Sequence, residues 1–157
     1  MGDTEKNVFI SHYGKDDEHI SNLKNLLSNN GYILKNSSID STKPNQASNE
    51  DYIKQLLRDR MKWAGTAIVL IGKDTHTREW VNWEIELANR LGKTIVGVFI
   101  QGATDSDIPE AFEKYGDALV GWNSGKIIDA IEGRCSDFDS SDGGEWSSPY
   151  APSREVC

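Results

Sequence analysis

This chain of 157 residues predicts an α/β domain with a doubly wound, five-stranded parallel sheet. Three observations predict it. Short apolar runs alternate five times with amphipathic stretches, residues 66–71 (T-A-I-V-L-I) form an unbroken apolar run, and glycines at 31, 65, 72 and 92 stand at the junctions. Alternating strands and helices build parallel sheets through right-handed crossovers, with helices on both faces. A strand covered on both faces reads as a continuous apolar run rather than as alternation.

Each element has its own signal. Residues 7–11 (N-V-F-I-S) read as the first strand. A helix over about residues 16–29 places Ile20, Leu23, Leu26 and Leu27 on one face, and Gly31 closes it in the manner of a C-terminal cap. Residues 32–35 make a second strand, followed by a polar loop over 36–47 that contains Pro44. Ser48 and Asp51 have capping-box spacing and open a helix through Tyr52, Ile53, Leu56, Leu57 and Met61. The 66–71 strand follows, then a helix from Glu79 to Leu91 that stops at Gly92, then a second central strand over 94–100. Residues 101–116 form a long connection with a short helix after Pro109. Residues 118–120 make a brief last strand, and Ser124 is placed to cap a helix over 125–132. No internal repeat is present.

Composition bounds what such a fold can do. With 37% hydrophobic residues and five Trp, the chain can bury one sizeable core. Residues 1–134 are expected to form a single domain. Residues 135–157, rich in Ser, Asp, Gly and Pro, are expected to form a mobile acidic tail. No apolar run approaches the ~18 residues that span a bilayer, and no secretory leader is expected. The cysteines, Cys135 and Cys157, have neither disulfide-framework nor zinc-site spacing, which suits a reducing cytoplasm. The net charge of -8 argues against nucleic-acid binding, which needs Lys and Arg against phosphates. His12, His19 and His76 lack ligand spacing, so no metal is expected. The segment Gly72-Lys73-Asp74-Thr75 lacks the phosphate-cradling glycine pattern.

The most informative residue is Glu84. At about 100° per residue, Trp80, Val81, Trp83, Leu87, Ala88 and Leu91 form one stripe with Glu84 near its centre. Asn82, Glu86, Asn89 and Arg90 take the opposite face. A carboxylate there must be paired, protonated or lining a cleft, because burying its charge alone is costly. Perturbed carboxylates are enriched at functional sites; a structural Glu that caps backbone or pairs with a buried Arg is the plainer alternative. In the strand order 2-1-3-4-5 of flavodoxin-like folds, ligands bind beyond the carboxyl ends where the chain reverses between strands 1 and 3. The loops after strands 1 and 3, and the helix carrying Glu84, meet at that point.

At these residues the sequence resembles the TIR (Toll/interleukin-receptor) superfamily. The resemblance rests on F-I-S-H-Y at 9–13, A-I-V-L-I at 67–71 and T-R-E-W-V-N-W-E-I-E-L-A at 77–88. In that superfamily a Trp-Cys-x-x-Glu stretch opens the helix after strand 3, and here Trp80, Val81, Asn82, Trp83 and Glu84 occupy those places. Over about residues 6–133 the chain is similar to the TIR-like proteins of the bacterial Thoeris anti-phage system.

The resemblance implies an enzyme that cleaves NAD, releases nicotinamide and, in the Thoeris branch, cyclises the remaining ADP-ribose into a diffusible signal for a separate effector. NAD is then the substrate and no cofactor is implied. Glu84 matches the catalytic Glu, Ser11 the residue closing the first strand, and residues 36–44 the mobile loop after the second. Ser11, Tyr13, Asn36, Asp40 and Trp80 are the substrate-binding candidates, with Tyr13 and Trp80 as aromatic walls. Lys15, Lys43 and Arg78 are candidates for the pyrophosphate. Two departures are plain: Val81 replaces the usual Cys, and the loop after strand 2 lacks the Arg/Asp…Pro-Gly pattern of receptor TIR domains.

One carboxylate suits this chemistry. Nicotinamide leaves as a neutral molecule and needs no general acid, unlike the leaving oxygen of an O-glycoside. A carboxylate beside the oxocarbenium-like ribose stabilises the charge left behind. Cyclisation then needs a closed, dry pocket, so that a hydroxyl of ADP-ribose reaches the anomeric carbon before water. A non-catalytic TIR scaffold acting through homotypic assembly is the alternative. A phosphoacceptor receiver domain is disfavoured, because strand 1 ends in Ser11 and His12 rather than an acidic pair.

Overall fold

The structure is a computed structural model that describes residues 4–12, 17–36, 50–73, 79–100, 102–133 and 138, with the backbone alone at Asp17, Asn36, Glu50 and Ile53. The chain runs β1 (Thr4–Ser11), α1 (Asp17–Ser28), β2 (Tyr32–Asn36), α2 (Glu50–Trp63), β3 (Thr66–Ile71), α3 (Glu79–Arg90), β4 (Thr94–Phe99), a 3₁₀ turn (Asp105–Asp107), α4 (Glu110–Tyr115), β5 (Ala118–Val120) and α5 (Ser124–Ile131). The five strands form one sheet in the order β2-β1-β3-β4-β5, and every pairing is parallel. This is the predicted doubly wound architecture.

Side-chain alternation along each strand divides the core into two layers. Phe9, Ala67, Val69, Ile71, Ile95 and Phe99 face α2, α3 and α4, where Leu57, Met61, Val81, Ile85, Ala88 and Phe112 meet them. Val8, Ile10, Ile68, Leu70, Val96 and Val98 face α1 and α5, packing on Leu23, Leu27, Ile127 and Ile131. All six residues of β3 are buried, as the unbroken apolar run requires of a strand between two helical layers.

Three details depart from the sequence pattern. β1 starts at Thr4, three residues before the predicted start at Asn7, because its polar first half pairs with β2 from Thr4↔Tyr32 to Val8↔Asn36. Those residues carry no apolar signal, since backbone pairing alone places them in the sheet. The cap of α5 is Asn123 rather than Ser124: in extended conformation, its side chain accepts the Lys126 N–H at 3.0 Å. Asn82, expected on a solvated face, is half-buried and accepts the backbone N–H of Ala111 at 2.9 Å. That bond satisfies a donor in the first turn of α4, whose own cap residue Pro109 supplies no side-chain acceptor.

Past α5, Phe138 is 9% exposed, bridges to Leu119 and packs into the α2–α3–α4 layer. The capping-box residue Ser48 and both cysteines lie outside the described residues. Among the described residues no helix is long and apolar enough to cross a membrane.

Glycine is required at two kinds of position. Gly92 has φ +72° and ends α3 in a Schellman arrangement, with Lys93 N–H bonded to Ala88 O at 2.9 Å and Gly92 N–H to Asn89 O at 3.1 Å. Gly97 and Gly116 clamp the Phe112 ring, and a Cβ would come within 2.7 Å of that ring at Gly97 and 2.5 Å at Gly116. The ring is 1% exposed and has no free direction in which to retreat. Gly97→Ala is therefore expected to lower stability by about 1–3 kcal/mol, read as a fall in melting temperature. Phe112→Leu in the same chain should recover part of that loss.

Candidate functional site

Odd-numbered residues of β1 face the α2–α3–α4 layer, so Ser11, two residues past Phe9, points to the same side at the strand's carboxyl end. α3 crosses that side. Its buried residues are Val81, Glu84, Ile85, Leu87 and Ala88, a stripe at helical spacing with the acid in its middle. Glu84 is 3% exposed and Ser11 2%. The Ser11 hydroxyl donates to Glu84 Oε1 at 2.7 Å, across 73 positions of sequence.

Burial pushes the Glu84 carboxyl up from its ordinary 4.5 to about 8, and the Ser11 hydrogen bond opposes part of that rise. No Lys, Arg or His forms an ion pair with it among the described residues. At neutral pH the group is thus mostly protonated in the free protein. It is neither a salt-bridge member nor a surface charge.

Trp80 stands one turn before Glu84. It is half-buried and packs against the core, edge-on to Trp83 with ring centroids 5.7 Å apart. Trp83 in turn receives Lys54 and Arg58 of α2 over its ring at 5.6 and 5.8 Å. These aromatics therefore join α3 to α2, and the cations attend Trp83 rather than the acid.

Asn36 ends β2 opposite Val8, which leaves it about 10 Å short of the level of Ser11 along the sheet. Tyr13 and Asp40 lie outside the described residues, as do Lys15, Lys43, Arg78 and His76. His12 is 7% exposed, with Nδ1 3.2 Å from Ile10 O. No group of three or more His, Cys, Asp or Glu among the described residues is arranged to hold a metal ion.

The structure therefore brings together Glu84 and Ser11 of the predicted set, with Trp80 one helical turn away. A feature with no sequence signal lies elsewhere on the same edge. It is a cavity of about 530 Å³ lined by His19, Asn22, Phe99, Ile100, Gly102, Ala103, Gly121 and Trp122. Three separate elements contribute to it, and no local spacing connects them.

Residues 9–105 match the family model described as Thoeris protein ThsB, TIR-like domain. The chain belongs to that family. Among solved structures this TIR-like domain is similar to the TIR domains of the activated Roq1 resistosome that directly recognises the pathogen effector XopQ, at 21% identity and TM-score 0.41. That match covers 60% of this chain and 57% of the other, so the chain spans little more than half of that structure's length. It is also similar to the CMP N-glycosidase BcmB of Clostridium botulinum (16% identity, TM-score 0.49, 82% of this chain and 99% of that one). A prokaryotic SEFIR domain is a further likeness (17% identity, TM-score 0.43, 82% and 89% covered). No match is found among curated proteins.

Two outcomes test the Glu84 environment. Because its folded pKa lies above the ordinary 4.5, the folded domain holds a proton between about 4.5 and 8 that the unfolded chain has released. Its contribution to stability is therefore fully present below 4.5 and is lost as pH rises to about 8. Glu84→Gln should match the wild type in stability near pH 5 and exceed it near pH 9 by an amount on the order of a few kcal/mol, read as a higher melting temperature. Ser11→Ala removes the bond that favours the charged form, so the carboxyl should titrate at higher pH still, followed by its infrared band.

Proposed function

We propose that this TIR-like domain cleaves NAD at the bond between nicotinamide and ribose, with Glu84 as the catalytic carboxylate. The burial of Glu84 beside Ser11 at the carboxyl edge of the sheet, with no basic partner among the described residues, carries this reading. Membership of the Thoeris TIR-like family supports it. Nicotinamide leaves with the bonding electron pair as a neutral molecule, and the ribose is left as an oxocarbenium-like cation. An ionised Glu84 stabilises that cation in a low-dielectric site, where one charge acts strongly.

The raised pKa fits this role through charge coupling. A bound nicotinamide ribosyl cation near the acid favours its ionised form and draws the pKa down, so the substrate itself brings about the charged state. Capture of the ribosyl carbon by a hydroxyl of the same ADP-ribose, with release of that hydroxyl's proton, gives a cyclic product, and capture by water gives the linear one. In this reading the cyclic nucleotide diffuses to a separate effector in anti-phage defence, the domain is cytoplasmic, copies of it associate through TIR–TIR contacts, and NAD is substrate with no further cofactor. Tyr13, Asn36, Asp40 and Trp80 remain the proposed substrate contacts beside Ser11.

A non-catalytic scaffold is the second reading. Tyr52 and Trp63 favour it: they are 52% and 45% exposed and share one face of α2 at helical spacing.

Mass spectrometry of small molecules from cells making the protein, with and without phage challenge, tests the first reading. Falling NAD with accumulating nicotinamide and an ADP-ribose product is expected. Glu84→Gln should reduce turnover on the order of 10³-fold while the circular dichroism spectrum is kept. Unchanged defence in Glu84→Gln would instead establish the scaffold. With purified active protein, kcat/KM should rise with pH towards about 8, following the free acid, whereas kcat should level off at lower pH, following the substrate complex.

A further inference from the structure

The cavity at the ends of β4 and β5 lies apart from Glu84 and is not used by the proposed chemistry. Its wall is α1, where His19 and Asn22 stand three residues apart and so share a helix face. Its floor is the end of β4 at Phe99 and Ile100, and its rim is formed by Gly102, Ala103, Gly121 and Trp122. A volume of about 530 Å³ lies in the range of small-molecule sites, roughly 300–1,000 Å³.

The lining specifies a chemical class. Trp122 is 39% exposed, so its indole offers an open surface, and aromatic faces of this kind stack nucleobases. Asn22 is exposed, and its side-chain amide, which makes no hydrogen bond among the described residues, offers both a donor and an acceptor to a ligand. That pair matches the adjacent amino group and ring nitrogen of adenine. No Lys or Arg is among the described lining residues, and the chain's net charge is -8; both disfavour a phosphate inside the cavity.

The geometry points to this cavity as a binding site for the purine ring of an adenine nucleoside, stacked on Trp122 and read at its amino edge by Asn22. His19 completes the polar side of the wall. A sugar or phosphate attached to the base lies towards solvent. The inference does not rest on cleavage at Glu84, because a free nucleoside has no nicotinamide bond to break.

Calorimetric titration of the full chain with adenosine, AMP, uridine and purine riboside tests it. Adenosine is expected to bind at millimolar concentration or below, AMP no more tightly than adenosine, and uridine about tenfold more weakly, because it lacks the adenine edge that Asn22 reads. Trp122→Ala, at a solvent-accessible position, should weaken adenosine about tenfold or more, and Trp122→Phe should recover much of the loss. Asn22→Ala should abolish the preference for adenosine over purine riboside, which lacks the amino group. Circular dichroism checks that each variant is folded.

Absence of adenosine binding overturns the inference, as does binding unchanged in Trp122→Ala. AMP binding tenfold tighter than adenosine would make the cavity an anion site and also overturn it. Glu84→Gln should bind adenosine as the wild type does, and loss of binding there would move the nucleoside to the acid. Adenosine binding without NAD cleavage sinks the cleavage reading alone; cleavage without adenosine binding sinks this one alone.

Discussion

The candidate site depends on the contact between the Ser11 hydroxyl and the Glu84 carboxyl. That contact joins the last residue of β1 to the second turn of α3, 73 positions later. It forms only because β3 pairs directly with β1, with Ser11 opposite Val69, so that the helix leaving β3 crosses above the end of β1. An acid buried at that crossing carries a large desolvation cost. Protonation, the Ser11 hydrogen bond and the tight apolar packing of Val81, Ile85 and Ala88 together make the position tolerable.

The same packing explains how α3 is held. Leu87 and Ala88 anchor it on the sheet, Trp83 meets the cationic side chains of α2, and Asn82 reaches across to the first turn of α4. A helix fixed to the sheet and to both neighbours in its layer gives its acid one position. Fixed charges and dipoles stabilise a developing cation best when they need no reorganisation at the moment of reaction. The acid and the cavity share no lining residue, although the cavity borders both helical layers at Phe99 and Ile100. Glu84 belongs to the α2–α3–α4 layer, whereas the cavity is walled by α1.

Much of this was legible in the sequence. The unbroken apolar run of β3, the stripe of α3 and the glycine that ends it are local patterns with a direct physical cause, and the alternation of strands and helices implies a parallel sheet. The burial of Glu84 was legible for the same reason, since helical period alone puts it among apolar neighbours. The first half of β1 was not legible, because its polar residues are held by backbone pairing with β2. Nor was the role of Asn82, whose partner is a backbone amide 29 positions away.

Periodicity acts within a single helix or strand, so residue order alone sets the elements and puts one acid on an apolar face. Which hydroxyl meets that acid, that no basic group among the described residues neutralises it, and that His19, Asn22 and Trp122 line one open cavity follow only from how the elements pack. These are distances between elements far apart in the chain, and they are fixed by sheet register and layer packing rather than by any local spacing.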